Sequence, residues 1–211
     1  MSERRLVLVR HGETTGNSSI RYYGRTDVAL SEAGRAAMHL VRNALSQRYG
    51  INHLALIFAS PLIRARESAR IIAGDGAAIT IIEEFTEIDF GLFEGLTAEE
   101  IAARYPFDYE HWRRNRFAPD YRYPGGESRS EFQERIKRGV ARLQERWESR
   151  ANGERSGHAL LAAHRGVIRE IARHLAAVEP AVELGSVQIL EACKGRWRPV
   201  VLDAVDHLDT R

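Results

Sequence analysis

Residues 6–14 read Leu-Val-Leu-Val-Arg-His-Gly-Glu-Thr, an apolar run followed at once by charged and polar residues. The run Leu6–Val9 is rich in β-formers and has no polar alternation, which predicts a strand buried on both faces. Two further apolar runs end in the same way, because Ser60 and Arg64 follow one of them and His164 follows the other. Ligands bind outside the carboxyl ends of strands in open α/β sheets, so we expect these polar residues to meet at one edge.

Strand-like and helix-like segments alternate along the chain. A helix is predicted behind Ser31, and a second one from Ser60-Pro61, with Ser60 as its cap, to about Gly74. Residues 97–100 and 128–131 have the capping-box form, and the second box opens a long helix. This alternation predicts the α/β class, as a three-layer α/β/α sandwich around a mostly parallel central sheet. The predicted strands are residues 6–9, 54–59, 78–82, 158–163, 186–190 and 197–202.

Residues 85–126 interrupt the alternation, because they contain no clear strand and three of the six prolines. We expect the 211 residues, 1–211, to form a single domain in which 85–126 is an inserted helical and loop cap. The cap should determine which substrate is bound. Its candidate contacts are Trp112, Arg113, Arg114, Arg116, Tyr121 and Tyr123. The arginines among them indicate a second anionic group on the substrate, and a solvated basic loop is the alternative interpretation.

The composition excludes several classes of function. The net charge of +2, from 31 Lys and Arg against 29 Asp and Glu, is too small to indicate nucleic-acid binding. No run approaches the roughly 20 apolar residues of a membrane helix, and the residues before Arg10 do not have the form of a signal peptide. The single cysteine, Cys193, allows no disulfide within the chain. We therefore expect a cytoplasmic protein without nucleic-acid or membrane partners, in which a C-terminal edge strand would allow a homodimer.

The polar residues at the expected sheet edge are suited to binding an anion. Arg64 lies in the first turn of its predicted helix, where the helix dipole disfavours a cation by roughly 0.3–1 kcal/mol. Arg10 and Arg64 can each donate two parallel hydrogen bonds to a phosphate. A metal site with His11, His164 and Glu13 is the alternative, but the guanidinium groups would repel a cation. The chain also lacks the usual metal-ligand spacings and the glycine motifs for ATP or NAD, so we expect no metal and no cofactor.

Several stretches of the chain resemble, in the same order, the motifs of the histidine phosphatase superfamily, the phosphoglycerate mutase-like family. They are residues 10–14 with Asn17, residues 23–34, residues 60–69, residues 87–95 and residues 125–128, followed by His164. The sequence of residues 87–95 is most similar to the α-ribazole phosphatase and broad-specificity phosphatase branch. The chain departs from the family at residues 163–166, which read Ala-His-Arg-Gly where Ser-His-Gly-Gly is frequent. Arg165 therefore either faces the pocket and changes selectivity or points away.

The resemblance implies phosphate transfer through a phosphorylated histidine without a metal ion. His11 would be the nucleophile, and Glu87 would protonate the leaving oxygen and then activate water. Glu13 and Asp89 are the rival acids. The resemblance and the cap together give catalytic candidates His11, Glu87, Arg10, Arg64 and His164, and substrate-binding candidates Asn17, Tyr23, Gly24 and Arg113.

Three functions are compatible with these motifs. The first is a phosphomonoesterase that hydrolyses a small phosphorylated metabolite. The second is a phosphoglycerate mutase, although the chain is shorter than the mutases that depend on a cofactor. The third is a non-catalytic relative that binds phosphorylated ligands, and the presence of both histidines, both arginines and the acid argues against it.

Overall fold

The structure, a computed structural model, describes residues 4–150 and 157–209. All six predicted strands are present. The strands are β1 (Arg4–Arg10), β2 (Leu54–Ala59), β3 (Ile79–Ile81), β4 (His158–Ala163), β5 (Val187–Cys193) and β6 (Arg196–Ala204). The helices are α1 (Glu32–Gln47), α2 (Ile63–Ala73), α3 (Ala98–Arg104), α4 (Pro106–Asn115), α5 (Arg129–Arg150) and α6 (Arg165–Ala176). Short 3-10 turns span Glu83–Phe85 and Gly91–Phe93. None of the helices in these residues is both long enough and apolar enough to cross a lipid bilayer.

The six strands form one sheet in the order β3-β2-β4-β1-β5-β6. Strands β1 to β4 pair in parallel, whereas β5 is antiparallel to β1, and β6 is antiparallel to β5. Each face of the sheet is covered by its own apolar core, with α5 and α6 on one face and α1 and α2 on the other. The predicted three-layer sandwich with a mostly parallel sheet is therefore confirmed.

The strand register brings the three polar chain segments side by side. Arg10 of β1 is opposite Ala163 of β4, and Ala59 of β2 is opposite Ala162. The residues that follow continue this pairing, because the His11 amide donates to the Ala163 carbonyl at 3.1 Å. The polar residues after β1, β2 and β4 thus share one edge of the sheet, as the sequence predicts.

Helix α2 begins later than the sequence predicts. Its N-cap is Leu62, without a side-chain hydrogen bond, so the prediction that Ser60 caps this helix is wrong. The Ser60 hydroxyl accepts from the Leu62 amide at 3.3 Å and also lies 2.7 Å from Nε2 of His164. The hydroxyl therefore connects the end of β2 to the end of β4. Arg64 remains in the first turn of α2, and the helix ends at Gly74 as predicted.

Both predicted capping boxes form. Thr97 exchanges hydrogen bonds with Glu100 at the start of α3, and Ser128 does the same with Glu131 at the start of α5. The apolar face of α5 is buried against the sheet, and its members are Phe132, Ile136, Val140, Leu143 and Trp147. The local signals for helix starts were therefore reliable where no described side chain from another element contacted the hydroxyl of the capping residue.

Residues 85–126 contain α3, α4 and a small aromatic core of their own. This core consists of Phe93, Ile101, Trp112 and Tyr121. The beginning and the end of the segment are both fastened to α5 by Arg135, which donates to the carbonyls of Glu84 and Thr86 and to the carboxylate of Glu127. That this segment is a substrate cap on a single domain remains a prediction.

Phe85 anchors the chain just before Glu87. Its ring is fully buried in the core under α5. Replacing a buried Phe by Ala costs about 3–5 kcal/mol because apolar surface is lost and a cavity remains. We expect this loss in the free energy of unfolding of Phe85→Ala, measured by urea denaturation. Phe107→Ala is the matched control, because its ring is 90% exposed and its loss should change stability by no more than about 0.5 kcal/mol. Equal stability of the two variants would contradict this packing.

Candidate active site

His11 follows β1 and is only 4% exposed. Its Nδ1 lies 2.7 Å from the carbonyl oxygen of Gly12, an acceptor that can bond only to a protonated nitrogen. The proton of the neutral ring is therefore on Nδ1, and the lone pair is on Nε2. This hydrogen bond fixes both the tautomer and the orientation of the ring.

The surroundings keep the His11 ring neutral. Burial lowers the pKa of His11 well below its ordinary value, and the positive charges of Arg64 and Arg10 lower it further. The bond to the Gly12 carbonyl acts in the opposite direction but does not compensate. A neutral ring retains the lone pair that a nucleophile requires.

Arg10 and Arg64 are held by backbone carbonyls. Arg64 is fully buried, and it donates to the carbonyl oxygens of Thr26 at 2.8 Å, Tyr23 at 3.1 Å and Gly24 at 2.8 Å. Arg10 donates to the carbonyl of Val182 at 2.9 Å. Burial lowers the pKa of Arg10 to about 10 and also lowers the pKa of Arg64, but a guanidinium group stays protonated in proteins near neutral pH. Neither forms an ion pair with any residue that the structure describes.

His164 lies beside His11, with 5.3 Å between the ring centroids and 62° between the planes. Burial and the charge of Arg64 lower the pKa of His164 well below its ordinary value. Within the described chain, three buried nitrogens around His11 have no hydrogen-bond partner: Nε of Arg10, Nε of Arg64 and Nδ1 of His164. An unpaired buried polar group costs about 1–3 kcal/mol, so this arrangement favours a ligand that supplies acceptors, such as an anion.

Glu87 is the candidate acid that lines the same cavity as His11. It is 6% exposed, and it accepts from the amides of Ile88 at 3.1 Å and Gly166 at 3.0 Å. Burial raises the pKa of Glu87 in spite of these bonds and of the charges of Arg64 and Arg10. The carboxyl group is therefore suited to carry a proton that it can donate.

The two rival acids are less suitable. Burial acts to raise the pKa of Glu13, but hydrogen bonds from the Thr14 amide and the Ser18 hydroxyl, both at 2.8 Å, outweigh it and lower the pKa. Asp89 accepts from the Gly91 amide at 2.9 Å. Neither carboxyl group lines the cavities that open at this edge of the sheet.

Two cavities open at this edge of the sheet. The inner cavity, of about 340 Å³, is lined by Arg10, His11, Ser18–Tyr23, Glu87, Phe90, Ala98, Arg165, Glu183 and Leu184. The cap cavity, of about 660 Å³, lies between residues 112–129 and α6. The two share the side chains of Tyr22, Glu87, Phe90 and Arg165, so they are neighbouring parts of one depression. Arg165 thus faces the pocket, which answers the question that the sequence left open.

The structure brings together most of the catalytic candidates. Arg10, His11 and Glu87 line the inner cavity, and so does the binding candidate Tyr23. Arg64 and His164 are 0% and 1% exposed and lie behind the wall, beside His11. They can contact only a group that penetrates to the depth of the His11 ring.

Three of the substrate-binding candidates lie elsewhere. Arg113 faces solvent and contacts Glu110, while α4 buries the neighbouring Trp112, so Arg113 lies outside the walls of both cavities. The Gly24 amide donates to Glu94 at 3.1 Å and does not face a cavity. Asn17 is exposed in a left-handed turn, with φ of 61°, and is not part of the cavity wall.

The chain after His11 packs directly against α1. A Cβ atom on Gly12 would lie 2.4 Å from the Gly34 carbonyl oxygen, and one on Gly34 would lie 2.0 Å from the Glu13 carbonyl oxygen. Both distances are far below van der Waals contact, so only glycine fits at either position. This close approach fixes how near the chain segment after His11 lies to α1.

Among residues 4–150 and 157–209, no group of three or more His, Cys, Asp or Glu side chains is arranged to hold a metal ion.

The motifs can now be compared with known proteins. A family model described as the histidine phosphatase superfamily, branch 1, matches residues 6–204. The chain belongs to this superfamily. It is 31% identical to phosphoglycerate mutase-like protein 4 of Arabidopsis thaliana over 211 residues, which cover 97% of this chain and 86% of the relative. It is 35% identical to phosphoserine phosphatase 1 of Hydrogenobacter thermophilus over 135 residues, 63% of this chain. That match spans only 61% of the relative's length.

Solved structures of the superfamily have the same fold. A mycobacterial glucosyl-3-phosphoglycerate phosphatase superposes with a TM-score of 0.77 at 28% identity, covering 96% of this chain and 100% of that one. The α-ribazole phosphatase from Shigella flexneri gives a TM-score of 0.78 at 24% identity, covering 95% and 96%. The branch that the sequence indicated is thus among the structural neighbours, where the low identity establishes the fold alone.

One residue of the superfamily motif, Glu94, has a role that the sequence did not predict. Its carboxylate accepts five hydrogen bonds, from the amides of Gly24, Arg25, Thr26 and Phe90 and from the Thr26 hydroxyl. Residues 23–26 are also the segment whose carbonyls hold Arg64. Glu94 therefore positions the carbonyls that orient this guanidinium. An acid within the apolar segment 92–96 was the available signal.

Glu94→Gln tests this positioning role. The amide group of Gln replaces an acceptor oxygen by a donor that faces N–H groups, so at least one donor loses its partner, at about 1–3 kcal/mol. We expect weaker binding of inorganic phosphate, measured by calorimetry, together with a lower free energy of unfolding. Glu110→Gln is the matched control, because Glu110 contacts only the outward-facing Arg113 and Arg114 among the described side chains. Phosphate affinity equal to that of the control would contradict the role.

Proposed function

We propose that the chain is a phosphomonoesterase that hydrolyses a small phosphorylated metabolite through a phosphohistidine at His11, without a metal ion. The observation that carries this proposal is the neutral, oriented ring of His11, whose Nε2 lone pair is enclosed by cationic side chains and faces the same cavity as Glu87. The superfamily membership supports it independently, and the names of the phosphatase relatives agree with it.

The first step would be an in-line attack. The Nε2 lone pair of His11 forms a bond to phosphorus while the bond between phosphorus and the leaving oxygen breaks. Negative charge on the three equatorial oxygens is stabilised by Arg10, Arg64 and His164, whose free N–H groups are already fixed before the substrate binds. Fixed cations neutralise the phosphoryl group here in the way a metal ion does in other phosphotransferases.

Glu87 would serve both steps. Its proton moves to the leaving oxygen in the first step, so that an alcohol departs. The carboxylate that remains then removes a proton from water, and the resulting hydroxide attacks the phosphohistidine and releases inorganic phosphate. The Ile88 and Gly166 amides stabilise the ionised state between the two steps.

His11→Ala tests the nucleophile. Release of phosphate from a panel of metabolites, assayed in EDTA, should be lost by at least about 10³-fold, because no other group can accept the phosphoryl. The panel comprises phosphoserine, 3-phosphoglycerate, α-ribazole phosphate, sugar phosphates and p-nitrophenyl phosphate. His39→Ala, on the exposed face of α1, should retain the activity. Activity that needs a divalent metal, or that survives His11→Ala, would overturn the mechanism.

Glu87→Gln separates the two roles of the acid. Alkyl phosphates need a proton on the leaving oxygen, so their turnover should fall by about 10²–10⁴-fold. A p-nitrophenolate leaves without a proton, so the first step should proceed with that substrate while hydrolysis of the phosphohistidine is slow. Rapid quench should therefore show a burst of nitrophenol and an acid-labile phosphoenzyme. Equal losses for both substrates, without a burst, would count against Glu87 as the acid.

The pH profile follows from the two opposite pKa shifts. His11 must be neutral, and its lowered pKa places the acidic limb of kcat/KM below the usual histidine range. Glu87 must be protonated, so kcat/KM for an alkyl phosphate should fall as pH rises through its raised pKa. In Glu87→Gln the residual activity should lose this alkaline decline. An unchanged alkaline limb in the variant would assign that limb to another group.

Two other results would favour the alternatives. Isomerisation of 3-phosphoglycerate without net phosphate release would indicate a mutase, a function that the Arabidopsis relative's name also suggests. Binding of phosphorylated ligands with no turnover of any compound would indicate a non-catalytic relative.

A further inference from the structure

We propose that the cap cavity binds a second anionic group of the substrate, so that the preferred substrate is a phosphomonoester with a carboxylate or second phosphate on its organic body. This inference rests on the proposed function, because it assumes that the phosphoryl group to be transferred lies at His11. The arginines proposed here differ from those expected from the sequence, which included the outward-facing Arg113.

Two arginines on α6 face this cavity. Arg165 and Arg169 are four residues apart, so they lie on the same side of the helix, and both line the cap cavity. Each is anchored through Nε, which donates to the carbonyl of Ala181 at 3.2 Å or of Pro180 at 2.9 Å. The terminal guanidinium nitrogens of both side chains have no hydrogen-bond partner among the described residues and are available to a ligand.

Two further arginines face the cavity from the opposite wall. Arg129, the first residue of α5, donates to the carbonyl of Arg116 at 2.9 Å. The Arg116 guanidinium lies 4.8 Å from the ring centroids of both Trp112 and Phe117. None of the four arginines forms an ion pair with a described carboxylate. Arginines held by carbonyls and rings, with their charge uncompensated, are typical of sites for carboxylate or phosphate groups.

The acids on the cavity wall neutralise only part of this charge. Glu170 and Glu179 are both paired with Arg173, which also lines the cavity. Burial raises the pKa of Glu87, which weakens its tendency to ionise. In addition, Arg165 is the first residue of α6, where the helix dipole already disfavours a cation. With five arginines against three glutamates, the wall keeps a net positive charge next to the cavity that contains His11.

The cap cavity is also lined by aromatic rings. They belong to Tyr22, Phe90, Trp112, Phe117, Tyr123 and Phe132. The cavity volume of about 660 Å³ is in the range of pockets that enclose ligands well beyond three carbon atoms. The geometry thus fits a substrate with a planar or apolar body between its two anionic ends.

Three compounds with the same ring test this preference. They are phenyl phosphate, 4-carboxyphenyl phosphate and 4-phosphonophenyl phosphate, which differ only in the second anionic group. We expect kcat/KM to be about tenfold to a hundredfold higher for a compound with the second group. This is the gain that one or two charge-assisted hydrogen bonds to that group would give. The carboxylate and phosphonate arms identify which anion the cavity prefers. In Arg165→Gln/Arg169→Gln the advantage should fall to about threefold or less.

Arg113→Gln/Arg114→Gln is the matched control. It removes the same net charge from the outer face of α4, so general attraction of anions is lowered equally while the cavity is unchanged. The control should keep the preference for the second anionic group. Loss of the preference in the control variant would show that net charge, and not the cavity, recognises the substrate.

Binding without turnover gives an independent measurement. Affinities of phenylphosphonate, 4-carboxyphenylphosphonate and benzene-1,4-diphosphonate are compared by calorimetry, in the wild type and in both double variants. Phenyl phosphate hydrolysis that does not depend on His11 would contradict the proposed function alone. Hydrolysis that depends on His11, with no preference for a second anion in rate or in affinity, would overturn this inference alone. Equal affinities for the three phosphonates would also overturn it if no compound were hydrolysed.

Discussion

Two arginines, one buried and one partly buried, lie here without an ion pair to any described carboxylate, and the rest of the site depends on this constraint. Arg10 and Arg64 are satisfied only in part, by carbonyls of four residues. Burial and the charge of these arginines lower the pKa of both His11 and His164, whereas at Glu87 burial raises the pKa against the effect of the arginines. A phosphoryl group is the species that compensates these charges and satisfies the unpaired nitrogens at the same time. The protein therefore shifts the pKa values of His11, His164 and Glu87 before any ligand binds.

The fold and the centre of this site could be predicted from the sequence because both follow from local patterns. Apolar runs predicted the strands, and the parallel arrangement required their polar ends to meet at one edge. His11, Arg64 and His164 were brought together by that reasoning alone, and the strand register confirms it. The acid at residue 87 came only from the resemblance to the superfamily, since no strand end supplies it.

What could not be predicted depends on tertiary contacts. Ser60 has the ordinary features of a helix cap, but His164 competes for its hydroxyl, so α2 starts later. Arg113 and Arg116 are equally basic in the sequence, and only the burial of Trp112 decides which of them faces the cavity. The role of Glu94 could not be predicted either, because the five hydrogen-bond donors around its carboxylate come together only when the chain folds.

The close approach of Gly12 and Gly34 has a consequence for the evolution of this chain. Each glycine is blocked by backbone atoms, not by a side chain that a second substitution could shorten. No larger residue can therefore replace either glycine, and the packing that positions His11 against α1 is retained. The arginines of the cap cavity project from a helix face and a surface segment, where exchange disturbs no backbone packing. Substitution of these arginines can therefore change the charge of the cap cavity without disturbing the packing that positions His11.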